Sequence, residues 1–132
     1  MKKKHNSYNL KYQHSNHVLR FGNFGIKSLS FYRLTEEQLI LLCRHLIKIS
    51  KNYSCNKRPI KIWNFLFLNL LLTKLNSESR MGKGKGSIYA KAIFLKPGCI
   101  FIEFESTSLA QAKALTYQIK KRLGLKLALI IK

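Results

Sequence analysis

Twenty-five lysine and arginine side chains set against five acids leave a net charge of +20 on a chain of 132 residues. Any fold it adopts must hold those cations at the surface and apart, because unpaired charge in a low-dielectric interior is prohibitive. The five acids are all glutamates, Glu36, Glu37, Glu78, Glu103 and Glu105, too few to neutralise the surface from within. A compact state carrying that self-repulsion calls for a polyanion. Nucleic acid is the leading partner and an anionic membrane surface the second. Neither residues 1–34 nor residues 106–132 contain an acid, so positive charge runs along the whole chain instead of concentrating on one reading helix or arm. That distribution suits a ribonucleoprotein component wrapped on several sides better than a transient binder.

Hydrophobic residues make up 46% of the chain and aromatics 11%, enough for a real core, and the length predicts a single domain. Residues 1–20 are polar, basic and aperiodic and read as an extended arm; residues 21–132 read as the domain. Cys43, Cys55 and Cys99 are odd in number and widely spaced, which fits neither a disulfide framework nor a zinc ribbon and points to idle thiols in a reducing compartment. His14 and His17 match no standard ligand spacing, so no metal or cofactor is expected. The run "FLFLNLLL", Phe65 to Leu72, falls far short of the ~20 residues of a spanning helix. A peripheral protein laying this run and its basic faces on anionic lipid is the rival reading. Lys, Asn, Ile, Leu, Phe and Tyr dominate while Asp is absent, a bias expected of AT-rich coding DNA and hence of an organelle genome.

Local patterns predict the elements. "FGNFGIKSL", Phe21 to Leu29, suits a turn leading into a short strand. Thr35 followed by Glu36, Glu37 and Gln38 is a capping box, and Leu39, Ile40, Cys43, Leu46 and Ile47 then recur at helical spacing. Arg44, Lys48 and Lys51 line the other side, as a solvated face or as phosphate contacts. A strand is expected from Ile60 to Phe67, with Trp63 as core filler because its neighbours are apolar. Ile88 to Leu95, a Pro97–Gly98 turn and "CIFIEFES" read as a hairpin. Glu103 and Glu105 share one face of its second strand, but no neighbouring motif supports acid–base chemistry, so they read as structural and no catalytic residue is expected. A second helix runs from Ser108 to Leu123 with Gly124 at its end, its cations Lys113, Lys120, Lys121 and Arg122 lying outside the apolar stripe. "LKLALII" closes the chain as a strand. The expected class is α+β, a mixed sheet with two helices packed on one side.

The segment "SRMGKGKGS", residues 79–87, spends three glycines on alternate positions between cations. It is no nucleotide-binding loop: Ser87 occupies the position five after Gly82 where a P-loop needs glycine, and a strand follows instead of a helix. A plain linker gains nothing from packed cations. A finger inserted among RNA phosphates uses both features, since glycine lets the backbone approach closely, exposed amides donate to phosphate oxygens, and Arg80, Lys83 and Lys85 neutralise charge.

That string closely resembles the Arg-Met-Gly-Lys-Gly-Lys-Gly hallmark of large-subunit ribosomal protein L sixteen of bacteria and organelles. "FGNFGIKSL", "RLTEEQL", "KIWNFLF" and "LGLKLALII" are similar to family segments in the same order, so the resemblance spans roughly residues 20–132. It implies an α/β-hammerhead-like fold, no catalysis, and binding to large-subunit rRNA beside the aminoacyl-tRNA site, among neighbouring ribosomal proteins and without homo-oligomers. Arg80, Met81, Gly82, Lys83, Gly84, Lys85 and Gly86 would form the loop that reaches toward the peptidyl-transferase centre. Lys27 and Lys61 match basic positions beside rRNA, and Arg80 matches an arginine hydroxylated in bacterial relatives. The start of the chain lacks the family's usual Pro-Lys-Arg-Thr-Lys-Phe-Arg-Lys, "FLNLLLTK" replaces its Phe-Pro-Asp-Lys-Pro, and Tyr89-Ala90 stands for Tyr-Trp. This drift suits a mitochondrial ribosome.

Overall fold

The computed structural model describes residues 16–53, 59–82 and 84–132. The start of the expected arm, His14, Cys55 and Lys83 lie outside the described residues. Within them are two helices and seven strands: β1 (Phe24–Ser28), β2 (Tyr32–Thr35), α1 (Glu36–Tyr53), β3 (Lys61–Asn64), β4 (Leu70–Lys74), β5 (Ser87–Leu95), β6 (Ile100–Glu105), α2 (Leu109–Leu123) and β7 (Leu127–Ile131). The class is α+β, as expected. Its strands divide between a four-stranded sheet, β3-β6-β1-β7, and a three-stranded sheet, β2-β5-β4, and every pairing is antiparallel.

Both helices begin where local chemistry dictates. The Thr35 amide donates to Gln38 Oε1 at 3.1 Å, and the Thr35 hydroxyl accepts from the Gln38 amide at 3.5 Å. Ser108 and Gln111 repeat the reciprocal arrangement at the start of α2, satisfying amides that have no partner within the helix. Gly124 ends α2 in the left-handed conformation, φ 65°, its amide donating to the Lys120 carbonyl at 2.9 Å. Nothing lies within 4 Å of the place a Cβ would take, so only the backbone conformation opposes a side chain there. Gly124→Ala is therefore expected to cost about 1 kcal/mol, seen as a lower urea midpoint at unchanged m-value.

One apolar cluster joins the two sheets and the two helices. Ile26, Leu34 and Leu95 contribute from β1, β2 and β5, Phe101 and Phe104 from β6, Leu42 and Leu46 from α1, and Leu115 and Ile119 from α2. In α2 the buried stripe is Ala112, Leu115, Ile119 and Leu123, with Leu109 exposed. That of α1 is rotated: Leu39, Leu42 and Leu46 point inward, while Ile40 and Ile47 are exposed. Leu and Ile cover most of this helix's circumference, so periodicity alone does not select the buried side; packing against β2, β5 and α2 does.

Two strand expectations are corrected. The segment from Ile60 does not continue to Phe67. β3 ends at Asn64, whose side-chain oxygen accepts from the Leu66 amide at 3.0 Å, and this local turn breaks the extended run. β4 then starts at Leu70 in the other sheet. Nor do β5 and β6 form a hairpin. The turn at Pro97–Gly98 is present, with Gly98 at φ 89° and the Cys99 amide on the Lys96 carbonyl at 3.2 Å. It hands the chain from one sheet to the other, because both edges of β5 are taken by β2 and β4 and both edges of β6 by β3 and β1. Bonds of 2.8 Å from the Gly98 amide to Ser28 O and 2.9 Å from the Ser28 amide to Cys99 O fix that turn against the end of β1.

The apolar run of the rival reading is largely absorbed here. Leu66 and Leu68 pack on the core and Leu72 is buried, leaving Phe67 as its protruding side chain. No helix of the described residues is long and apolar enough to cross a membrane.

Candidate nucleic-acid interface

The glycine segment lies in the connection between β4 and β5, which pair directly from Lys74–Ser87 inward. Residues 75–82 and 84–86 therefore lie at the tip of a hairpin at one end of the three-stranded sheet. Arg80, Met81, Gly82, Gly84 and Lys85 are all exposed, and Met81 keeps 96% of its surface open to solvent. Gly82 and Gly84 sit at φ 94° and 90° with open space around them, so their glycines serve the left-handed backbone and not close packing. Gly86 differs: a Cβ there would collide with the carbonyl of Lys74, which makes it the seam where the two strands meet. Arg80, Glu78, Lys85 and the Gly84 backbone border an open hollow of about 460 Å³ beneath the tip.

The other expected contact residues occupy separate elements. Arg44 and Lys48 stand one turn apart on the outer face of α1, both exposed, with Lys51 beyond them and the exposed Ile40 and Ile47 alongside. Lys27 is half-buried inside β1, opposite Ile100 of β6 and Ala128 of β7. Lys61 opens the edge strand β3 and pairs with Glu105 at 3.2 Å. The structure thus carries cations on loop, helix and sheet edge without gathering them into one pocket.

The carboxylates have structural posts. Glu103 is 1% exposed; its Oε1 accepts from the Arg20 amide at 3.0 Å and its Oε2 from the Phe21 and Gly22 amides at 2.8 Å each. Its charge is thus met by backbone amides, whereas that of Glu105 is met by Lys61. These bonds lay residues 16–22 along the sheet surface, where Asn16 also accepts from the Ile100 amide at 2.7 Å. Burial pushes the Cys43 and Cys99 thiols above their ordinary pKa, as idle thiols require. Burial, and after it the Arg122 guanidinium, holds the His45 imidazole below its usual value. Among the described residues no group of His, Cys, Asp and Glu could hold a metal ion.

Sequence reasoning missed an aromatic group. Phe21 stacks on Trp63, ring centroids 5.9 Å apart at 25°, and on Phe65, 6.1 Å apart at 20°. Trp63 is half-buried at the sheet edge instead of filling the core; its neighbour Ile62 packs inward. The available signal was the alternation Lys61, Trp63, Phe65, which sets all three on one side of an extended segment. Tyr117 was missed too: it is 64% exposed on α2, at helical spacing from Lys113, Lys120 and Lys121.

Fold and surface define a polycationic α+β protein that presents a glycine-hinged loop and exposed aromatic rings on a small rigid scaffold. Comparison with protein families matches residues 1–130 to ribosomal protein L16p/L10e, and the chain belongs to that family. A "Large ribosomal subunit protein uL16m" of Chondrus crispus is 50% identical over 122 residues, covering 92% of this chain and 88% of that protein. A protein of the same name from Acanthamoeba castellanii is 36% identical over 109 residues, 76% of this chain and 70% of its own. "Large ribosomal subunit protein uL16" of Rickettsia akari (strain Hartford) is 35% identical over 88 residues, 67% and 60% respectively. The resemblance read from the glycine string is borne out.

Proposed function

We propose that this chain is a structural constituent of the large subunit of a mitochondrial ribosome, encoded in an organelle genome, and that it binds large-subunit rRNA and helps seat aminoacyl-tRNA near the peptidyl-transferase centre. Family membership and the mitochondrial names of two relatives support the ribosomal and organellar parts. The single observation that carries the RNA reading is the display of +20 net charge on loop, helix and sheet edge, a surface made for several phosphate strands at once. The glycine tip is the part that enters the functional centre. Arg80 and Lys85 meet phosphate there, Gly82 and Gly84 let backbone amides close on it, and Arg80 is the side chain exposed for hydroxylation. Arg44, Lys48, Lys27 and Lys61 contact rRNA around the scaffold. In this reading the protein works by holding RNA in place and carries out no reaction.

Sucrose-gradient fractionation of mitochondrial lysate tests the assignment. The protein should travel with the large particle and leave it only in high salt or after ribonuclease. Recovery at the top of the gradient in low salt, or flotation with anionic vesicles, would sink it.

A further inference from the structure

Phe21 is 58% exposed although two other rings lie against it. A ring that served packing alone would be driven inward, since covering apolar surface stabilises by roughly 25 cal/mol per Å². Instead the backbone holds it out. The Phe21 and Gly22 amides are tied to the buried Glu103 carboxylate, the Asn23 amide to the Phe104 carbonyl at 3.0 Å, and the Phe65 amide to the Phe101 carbonyl at 3.0 Å. Trp63 is fixed in the ladder between β3 and β6, opposite Glu103. Three nearly parallel rings are therefore set rigidly on the side of the sheet turned away from the core.

The flanking chemistry selects the occupant. Arg20 precedes Phe21 and is exposed, its guanidinium donating to Asn16 Oδ1 at 2.9 Å. Lys61 lies two residues before Trp63 and remains 64% exposed while paired with Glu105. A hollow of about 150 Å³ opens beside the rings, walled by Asn16, Val18, Arg20, Phe65, Ile100 and Glu103, the last with its carboxylate oxygens turned to the backbone amides of residues 20–22. Flat rings rimmed by cations, on a chain of +20, complement a planar heterocycle attached to a phosphate chain. An apolar side chain of a protein partner would use the rings and gain nothing from the rim.

We propose that Phe21, Trp63 and Phe65, rimmed by Arg20 and Lys61, form a stacking platform for an unpaired RNA base. The proposal rests on the RNA-binding reading above and adds a base contact to what would otherwise be phosphate contacts alone. A base caught there pins one flipped or single-stranded nucleotide against the sheet, giving the scaffold a fixed register on RNA that diffuse charge cannot supply.

Trp63 is the sole tryptophan and so reports on its own site. The full chain is titrated with a short single-stranded oligoadenylate and with inorganic polyphosphate of equal charge, following binding and tryptophan emission together. Oligoadenylate should quench Trp63, while polyphosphate should bind without quenching. Phe21→Ala and Phe65→Leu should each weaken oligoadenylate binding by roughly 5- to 150-fold and leave polyphosphate binding unchanged, with an unaltered far-ultraviolet spectrum confirming the fold. If oligoadenylate binds but Trp63 emission stays constant or responds equally to polyphosphate, the platform is overturned, the rings are left to a protein partner, and the RNA-binding reading stands. If neither polyanion binds, that reading fails and the platform with it.

Discussion

Glu103→Leu is expected to lower the unfolding free energy by roughly 3–5 kcal/mol, an effect concentrated in one side chain because three amides depend on it. The carboxylate is buried and accepts from Arg20, Phe21 and Gly22 at 3.0, 2.8 and 2.8 Å. Leucine fills the space but takes the acceptor from all three donors: the Gly22 bond is buried and those of Arg20 and Phe21 are part-buried, and an unsatisfied buried donor costs about 1–3 kcal/mol. Residues around Gly22 cannot simply slide to find others, since the chain there lies so close that a Cβ on Gly22 would sit 2.6 Å from the Phe104 carbonyl oxygen. For a chain of this size the loss corresponds to a fall in Tm of roughly 10–18 °C. Glu103→Gln should cost less, because one amide oxygen still accepts while its NH2 group faces a donor. Glu105→Gln is the control: it changes net charge by the same amount as Glu103→Gln, but breaks only a partly exposed pair with Lys61, worth about 0–1 kcal/mol. Equal melting shifts for the two glutamine variants would show that charge, not the amide cradle, sets the effect.

What could be read from the sequence was what neighbouring residues decide. Thr35 with Gln38 and Ser108 with Gln111 place both helix starts, and Gly124 places one end, because each cap is settled within four residues of chain. The glycine tip was legible for the same reason: alternate glycines give the backbone access to left-handed turns whatever the distant chain does, and Gly82 and Gly84 take that conformation. The partition of strands was not legible. Pro97–Gly98 makes a genuine turn, but whether it closes a hairpin depends on whether β5 and β6 have edges to spare, which strands far off in sequence have already occupied. The inward face of α1 was misread since Ile40, Leu42 and Ile47 are equally apolar and only the packed neighbours distinguish them. Glu103 was read as structural without its partners being visible; backbone amides more than eighty positions away leave no mark in a local pattern. Phe21 and Trp63 meet because that carboxylate, with the bonds of Asn16 to Ile100 and Asn23 to Phe104, draws residues 16–23 over the sheet.

Binding to a large-subunit rRNA fragment is expected to fall steeply with salt, with a log–log slope near −5 if about six phosphates are neutralised. Between about 50 and 200 mM salt that is a loss of roughly 10³-fold in affinity. The expectation follows from where the cations sit. Arg44, Lys48, Arg80 and Lys85 are exposed on different elements, so an RNA that reaches several of them must shed counterions at each, and the slope counts those contacts independently of their strength. The double substitution Arg80→Gln with Lys85→Gln should flatten the slope by about 1.5–2 and shift the urea midpoint little, since both residues are exposed at the hairpin tip. Arg44→Gln with Lys48→Gln should do the same from the outer face of α1. If the scaffold alone held the RNA, the tip variant would keep the full slope while the helix variant lost it; if the tip alone did, the pattern would reverse. Two comparable decrements are what a polycation embedded in RNA on several sides requires, and a slope near zero in the unaltered chain would remove electrostatic embedding altogether, whatever family the sequence belongs to.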